Sequence, residues 1–197
     1  MIYFSAMNIE NYSERLNPVG TLIMLRGIPG SGKSTFGTKL MEALGTKAIG
    51  LNPDDFRYKN GRYDSSPASG DQIFALLDKM AIDSLKCGKI VVWQRVWTTL
   101  KSYEDLQDQI KNKLHPERLL LIEIDIQENV AWERIVKREL SGGKQRISLE
   151  EFDYYVNRYV SLKGKIPENE FLSLKGEESI EHNSEIIIQW LKKAMVI

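Results

Sequence analysis

Residues 27–35 read Gly-Ile-Pro-Gly-Ser-Gly-Lys-Ser-Thr, the G-x-x-x-x-G-K-[ST] spacing (Walker A) of a loop built to hold phosphate. Gly27, Gly30 and Gly32 let the backbone wrap tightly, so that its N–H groups point inward at phosphate oxygens. A helix starting just after the loop adds partial positive charge there. Gly30, Ser31, Gly32, Lys33, Ser34 and Thr35 are therefore the candidate nucleotide-binding residues. In that role Lys33 reaches the β- and γ-phosphates, and the Ser34 hydroxyl is the candidate Mg2+ ligand. Downstream, Leu51-Asn52-Pro53-Asp54-Asp55-Phe56-Arg57 sets two acids and an arginine close together. Phosphoryl transfer needs in-line positioning, charge neutralisation and a base for the attacking hydroxyl. A carboxylate in this stretch can take that proton, and Arg57 can grip an anionic acceptor in bidentate fashion.

Those residues meet only if the elements between them fold into the right layers. The apolar run at 21–26 predicts a buried strand, followed by a helix over 33–44 and a second strand at 47–52. Residues 71–86 place Ile73, Leu76, Leu77, Met80, Ala81 and Leu85 at helical spacing, a core-facing stripe. Further strands are expected at 89–93, 118–125 and 171–174. Further helices are expected at 101–114, 128–140, 149–162 and 184–194, the last opened by Ser184 as its cap. Strands alternating with helices imply an α/β fold, a parallel sheet of about five strands with helices on both faces. Ligands collect at the carboxyl ends of such strands. Loops starting near 27, 53, 94 and 126 should then face one crevice.

Composition narrows the classes. The 197 residues carry 42% hydrophobic and 27% charged side chains, the balance of an ordinary globular protein. The expected organisation is an N-terminal arm over 1–18, ending at Pro18, and one domain over 19–197. A net charge of zero argues against a strongly basic nucleic-acid binder, though a local basic groove fits within a neutral total. Cys87 is the single cysteine, so no internal disulfide forms. The chain start lacks the basic and apolar regions of a signal peptide, and no segment approaches the roughly 18 apolar residues of a membrane span. A cytoplasmic protein is expected.

Leu22–Phe36 (LIMLRGIPGSGKSTF) followed by NPDDFR resembles the P-loop kinases that include polynucleotide 5′-hydroxyl kinases and zeta-toxin kinases. The resemblance implies a P-loop kinase fold with a mobile lid, here about 138–150. It also implies that the first acid of D-D-x-R is the base and the arginine a substrate contact, so Asp54 and Arg57 receive those roles. Asp55 is left to orient the loop or a metal-bound water. Residues 131–148, AWERIVKRELSGGKQRIS, resemble the lid itself. Arg138 is the candidate catalytic lid arginine, and Arg134 and Arg146 are further lid candidates. Arg134 and Arg138 are four apart and share a helix face.

One departure stands out. Related kinases tend to end the third strand with an acid that supports Mg2+ or substrate, whereas this chain has Gln94 and Arg95. Either Asp54 and Asp55 take over the metal's surroundings, or the acceptor is an anion that engages Arg95. A third option is a protein that binds nucleotide without turnover. Trp93 and Trp97 are open to two readings, a stacking platform for an acceptor base or core packing. Two other nucleotide-hydrolysing classes fit poorly. A base-reading NKxD is missing, since residues 112–115 read NKLH, and the 89–93 strand does not run into an acid.

The expected reaction is ATP-dependent transfer of the γ-phosphate to an alcohol, with Mg2+. The preferred acceptor is the 5′-hydroxyl of a nucleic acid or nucleotide-like molecule. A small-metabolite or sugar-nucleotide kinase of the zeta-toxin type is the first alternative, and a nucleotide-binding module the second.

Overall fold

The computed structural model describes residues 20–59, 62–63, 67–94, 99–101, 103–105, 108, 118–142 and 147–194. At its centre lies β1 (Thr21–Arg26), buried at every position. Leu22 and Met24 enter one apolar layer, Ile23 and Leu25 the other. An unbroken apolar run encodes this two-sided burial, because a parallel strand has no face turned to water. The chain continues through α1 (Lys33–Leu44), β2 (Ala48–Leu51), α2 (Pro53–Arg57) and a short antiparallel pair, β3 (Tyr58–Lys59) with β4 (Arg62–Tyr63). Then follow α3 (Pro67–Lys86), β5 (Ile90–Gln94), β6 (Arg118–Asp125), α4 (Glu128–Leu140), α5 (Leu149–Arg158), β7 (Phe171–Lys175) and α6 (Ile180–Lys193).

Five strands form one sheet in the order β2-β5-β1-β6-β7, with every neighbouring pair parallel. Ile73, Leu77, Ala81 and Leu85 of α3 pack into one layer. Phe36 and Leu40 of α1, with Ile187 and Leu191 of α6, fill the other. The expected α/β sheet with helices on both faces is thus the observed architecture. The chain runs outward from β1 to β2, then crosses β1 to reach β6, so the order of strands reverses beside β1. Ligand crevices open at such a reversal.

Several boundaries differ from the sequence expectation, each for a local reason. Residues 53–57 form a helical turn rather than a loop, because Pro53 suits a first helical position. Helix α5 ends at Arg158, not 162, since Tyr159 turns to an extended ψ of 126°. Helix α6 starts at Ile180 with Ser179 as its cap, whose hydroxyl accepts from the His182 N–H at 3.1 Å. Ser184 therefore lies inside the helix, and the earlier start buries Asn183, whose Nδ2 donates to the Lys175 carbonyl at 2.8 Å. Helix α3 likewise begins at Pro67, ahead of 71. Trp93 is 1% exposed within the core, which rules out its use as a stacking platform. The arm over 1–18, Arg95, Trp97, Arg146 and most of the helix expected at 101–114 lie outside the described residues. No helix among the described residues is long and apolar enough to cross a membrane.

Candidate active site

The loop after β1 turns into α1 through Gly32, whose φ of 98° is left-handed, a conformation that glycine adopts without steric cost. No side chain caps α1, and its first turn carries no acid. Its leading N–H groups are therefore open to an anion, with the helix dipole behind them. At Gly30, with φ 81°, a Cβ would come within 2.3 Å of the Ala131 carbonyl. Helix α4 thus sits directly on the loop. Ile28 seals the contact in a small core with Ile126, Ala131, Ile135 and Phe152.

Lys33 is partly buried under this loop. Its Nζ donates to the carbonyls of Gly27 at 2.7 Å and Ile28 at 2.8 Å, and to Ser31 Oγ at 3.4 Å. Burial lowers its ammonium from 10.5 to about 7; the Asp54 carboxylate opposes the shift, while Arg138 and Arg26 add to it. Lys33 therefore lies in the field of residues from β1, α2 and α4. The side chains of Ser34 and Thr35 are exposed at the start of α1.

Helix α2 is organised by Asn52, which ends the extended stretch after β2. Its Oδ1 accepts from the Asp54 N–H at 3.2 Å, and its carbonyl accepts from the Asp55 N–H at 3.1 Å. Asp55 Oδ1 also accepts from Asn52 Nδ2 at 3.5 Å, so this exposed acid turns back toward the cap. Asp54 and Arg57 are partly buried. A Cβ at Gly70 of α3 would stand 3.1 Å from Arg57 Nη2, so the guanidinium rests on that helix. On α5, burial raises the Tyr155 phenol, with Glu151, Tyr154 and Asp54 adding to the shift and Arg57 opposing it. Tyr155 thus lies within the field of the α2 pair.

The two arginines of α4 are used differently. Arg134 Nη2 donates to the Gly176 carbonyl at 2.9 Å, beyond the end of β7. Arg138, one turn later and exposed, acts on Lys33. Helix α5 opens with a reciprocal cap: Ser148 Oγ accepts from the Glu151 N–H, and the Glu151 carboxylate accepts from the Ser148 N–H.

Arg26 and Glu123 were not apparent as site residues from motif spacing. They are register partners on β1 and β6 and form a buried ion pair. The Glu123 carboxylate also accepts from Ser161 Oγ and from the Leu162 N–H at 3.0 Å. Arg26 Nη2 donates to the Val160 carbonyl at 2.9 Å, and its guanidinium stacks 4.4 Å from the Tyr159 ring centroid. Burial is the main cause that raises the Tyr159 phenol. Charge inside an apolar strand is rare unless paired, so the lone arginine of LIMLR and the glutamate of RLLLIEID are the signal that could have found this pair.

Comparisons with known proteins bear on the fold. A protein from Chloroflexus aurantiacus assigned as a kinase is 18% identical over 88% of this chain and 99% of its own, with a TM-score of 0.67. A sugar kinase from Janibacter is 15% identical over 90% of this chain and 98% of its own, with a TM-score of 0.64. A chain of the Pnkp1/Rnl/Hen1 RNA repair complex is 24% identical over 79% of this chain but only 49% of its own, again with a TM-score of 0.64. The shared feature at these identities is the fold, that of P-loop kinases. No protein of curated function matches the chain in sequence. Residues 22–162, from β1 through the phosphate loop and α2 to the segment after α5, match the family described as an AAA domain, and the chain belongs to that family.

Proposed function

We propose that this protein is a phosphotransferase that moves the γ-phosphate of ATP to an alcohol. The observation that carries the proposal is Lys33, held under the phosphate loop on the Gly27 and Ile28 carbonyls and within electrostatic reach of Asp54 of α2 and Arg138 of α4. In this reading the loop N–H groups and Lys33 hold the phosphates, and Asp54 takes the proton of the attacking hydroxyl. Arg138 stabilises the charge that spreads over the transferring group, and Arg57 holds the acceptor. Lid residues about 138–150 close over the crevice and exclude water. Residues 19–197 act as one domain in this scheme, and Arg134 serves the base of the lid.

Magnesium fits the donor set. Mg2+ is usually bound by one or two protein ligands together with substrate phosphates and waters. Ser34 at the mouth of the loop supplies a hydroxyl, with Asp54 and Asp55 on the facing helix. Among the described residues no group of three or more His, Cys, Asp or Glu side chains could cage a metal alone, so the ion would arrive with the nucleotide. When bound, it would supply positive charge that offsets that of the phosphates during transfer.

For the acceptor we favour the 5′-hydroxyl of a nucleic acid or nucleotide-like molecule. Tyr155, partly buried and in the field of Asp54 and Arg57, supports this choice, since an aromatic wall can stack on a base. The likeness to a chain of an RNA repair complex is consistent with it. A screen with γ-labelled ATP against oligonucleotides, nucleosides, sugars and sugar nucleotides tests the reading. Labelled 5′-ends are expected. Label only in sugars or sugar nucleotides would replace the acceptor, and ATP binding with no transfer would leave a nucleotide-binding module.

A further inference from the structure

Helix α5 divides its side chains among three directions. Phe152, Val156 and Tyr159 pack with Ile28 of the phosphate loop, and the Arg26 guanidinium at the end of β1 stacks on Tyr159. Glu150, Asp153 and Asn157 are exposed on a second side. Glu151, Tyr154, Tyr155 and Arg158, three and four residues apart, share a third. Glu151 is occupied by the cap at Ser148. The other three form a continuous run. Tyr155 is partly buried and within electrostatic reach of Asp54 and Arg57. Its ring centroid lies 5.6 Å from that of Tyr154, with an interplanar angle of 82°. The Arg158 guanidinium lies 4.5 Å from the Tyr154 centroid. Tyr154 is 55% exposed and Arg158 is exposed as well, so the run leads outward from the crevice.

Neither exposed member of the run serves the core. Among the described residues Arg158 forms no ion pair, and Tyr154 enters no apolar cluster. An exposed ring backed by a guanidinium is a surface on which a base stacks. The guanidinium keeps a fork of N–H donors that matches a phosphate. Two nearly perpendicular rings suit bases that are unstacked from each other, as in a single strand. We infer that Tyr154 and Arg158 form a second acceptor subsite, where Tyr154 stacks on the base of the second nucleotide from the phosphorylated end and Arg158 holds the phosphate joining it to the first. The inference rests on the acceptor reading above and deepens it. The acceptor is then a single strand of at least two nucleotides, with Tyr155 beside the first base. Charge supports this occupant, because an unpaired cation meets the linking phosphate. A neutral sugar would give neither side chain a partner.

The test measures kcat/KM of the full chain with γ-labelled ATP on a series of acceptors. These are a nucleoside, its 3′-phosphate, a single-stranded dinucleotide, and the same dinucleotide abasic at its second position. Wild type is expected to prefer the dinucleotide over the nucleoside 3′-phosphate by about ten- to hundredfold, the scale of one stacked base. Most of that preference should vanish on the abasic acceptor. Tyr154→Ala should remove the preference and any response to the missing base, whereas Tyr154→Phe, which keeps the ring, should retain both. Arg158→Gln should lower the preference for the nucleoside 3′-phosphate over the nucleoside by about tenfold, the scale of a charged hydrogen bond. Equal wild-type activity on the intact and abasic dinucleotides overturns the inference. So does a Tyr154→Ala variant that loses the same factor on every acceptor, or an Arg158→Gln variant with an unchanged phosphate preference. Label only in sugars or sugar nucleotides would instead overturn the acceptor reading, and the inference would fall with it.

Discussion

Asp54 is positioned by its neighbour Asn52, whose side chain receives the Asp54 N–H and starts the helical turn. That places Asp54 on a helical turn within electrostatic reach of Lys33. Asp54→Ala is expected to lower turnover by roughly two to four orders of magnitude, the scale of a lost general base. ATP affinity by calorimetry should change little. Unchanged turnover would remove Asp54 from the chemistry. Lys33 is expected to respond to pH. Its nucleotide-free ammonium titrates near 7 rather than 10.5 because burial lowers it. Below about 7 it is charged before and after binding, so the contribution of Lys33 to affinity is fully present and pH-independent. Above that value phosphates must draw a proton onto it, so binding takes up protons and affinity falls by up to about tenfold per pH unit. Calorimetry near pH 8 in buffers of different ionisation heat should show this uptake, and Lys33→Met should abolish it.

At the scale of elements, two devices hold the helices that flank the proposed lid. One is the small core in which α4 and α5 pack on Ile28 of the loop, with the Trp132 and Phe152 rings 5.2 Å apart. The other is the cap at Ser148, which satisfies two of the orphaned N–H groups that open α5. Ser148→Ala should cost about 1 kcal/mol and loosen the first turn of α5. Hydrogen exchange should register faster exchange at residues 148–151 before any change in the sheet. Uniform exchange across the chain would contradict this local account. Part of this level was readable in advance, because helices were expected over 128–140 and 149–162. The end of α5 was not, because Tyr159 leaves the helix for a partner on β1, far away in the chain.

The whole molecule is joined at Arg26 and Glu123. The pair links the strand that carries the phosphate loop to β6, and both side chains reach the segment after α5. Buried ion pairs add little over apolar residues of similar size, yet removal of one partner leaves an uncompensated charge. Glu123→Leu is therefore expected to destabilise by about 3–5 kcal/mol. Arg26→Met combined with Glu123→Leu should recover much of that loss. Denaturant unfolding of the two single variants and the double variant gives the coupling. Additive losses would show that the pair does not act as a unit.

The sequence by itself determined the α/β layering, the phosphate loop and the presence of an acid–arginine turn one strand beyond it. Those features are local: an apolar run, a glycine spacing and a proline after a strand act within a few residues of one another. Only the tertiary structure decided what those residues face. It set Asp54 and Arg138 within electrostatic reach of Lys33, placed Arg134 on the turn beyond β7, and put Trp93 in the core. It also paired Arg26 with Glu123. Each of these depends on how the elements pack, which brings together residues as far apart as 134 positions, as with Arg26 and Val160. Motif spacing carries no information at that range, because the physical contact is made by packing rather than by the chain.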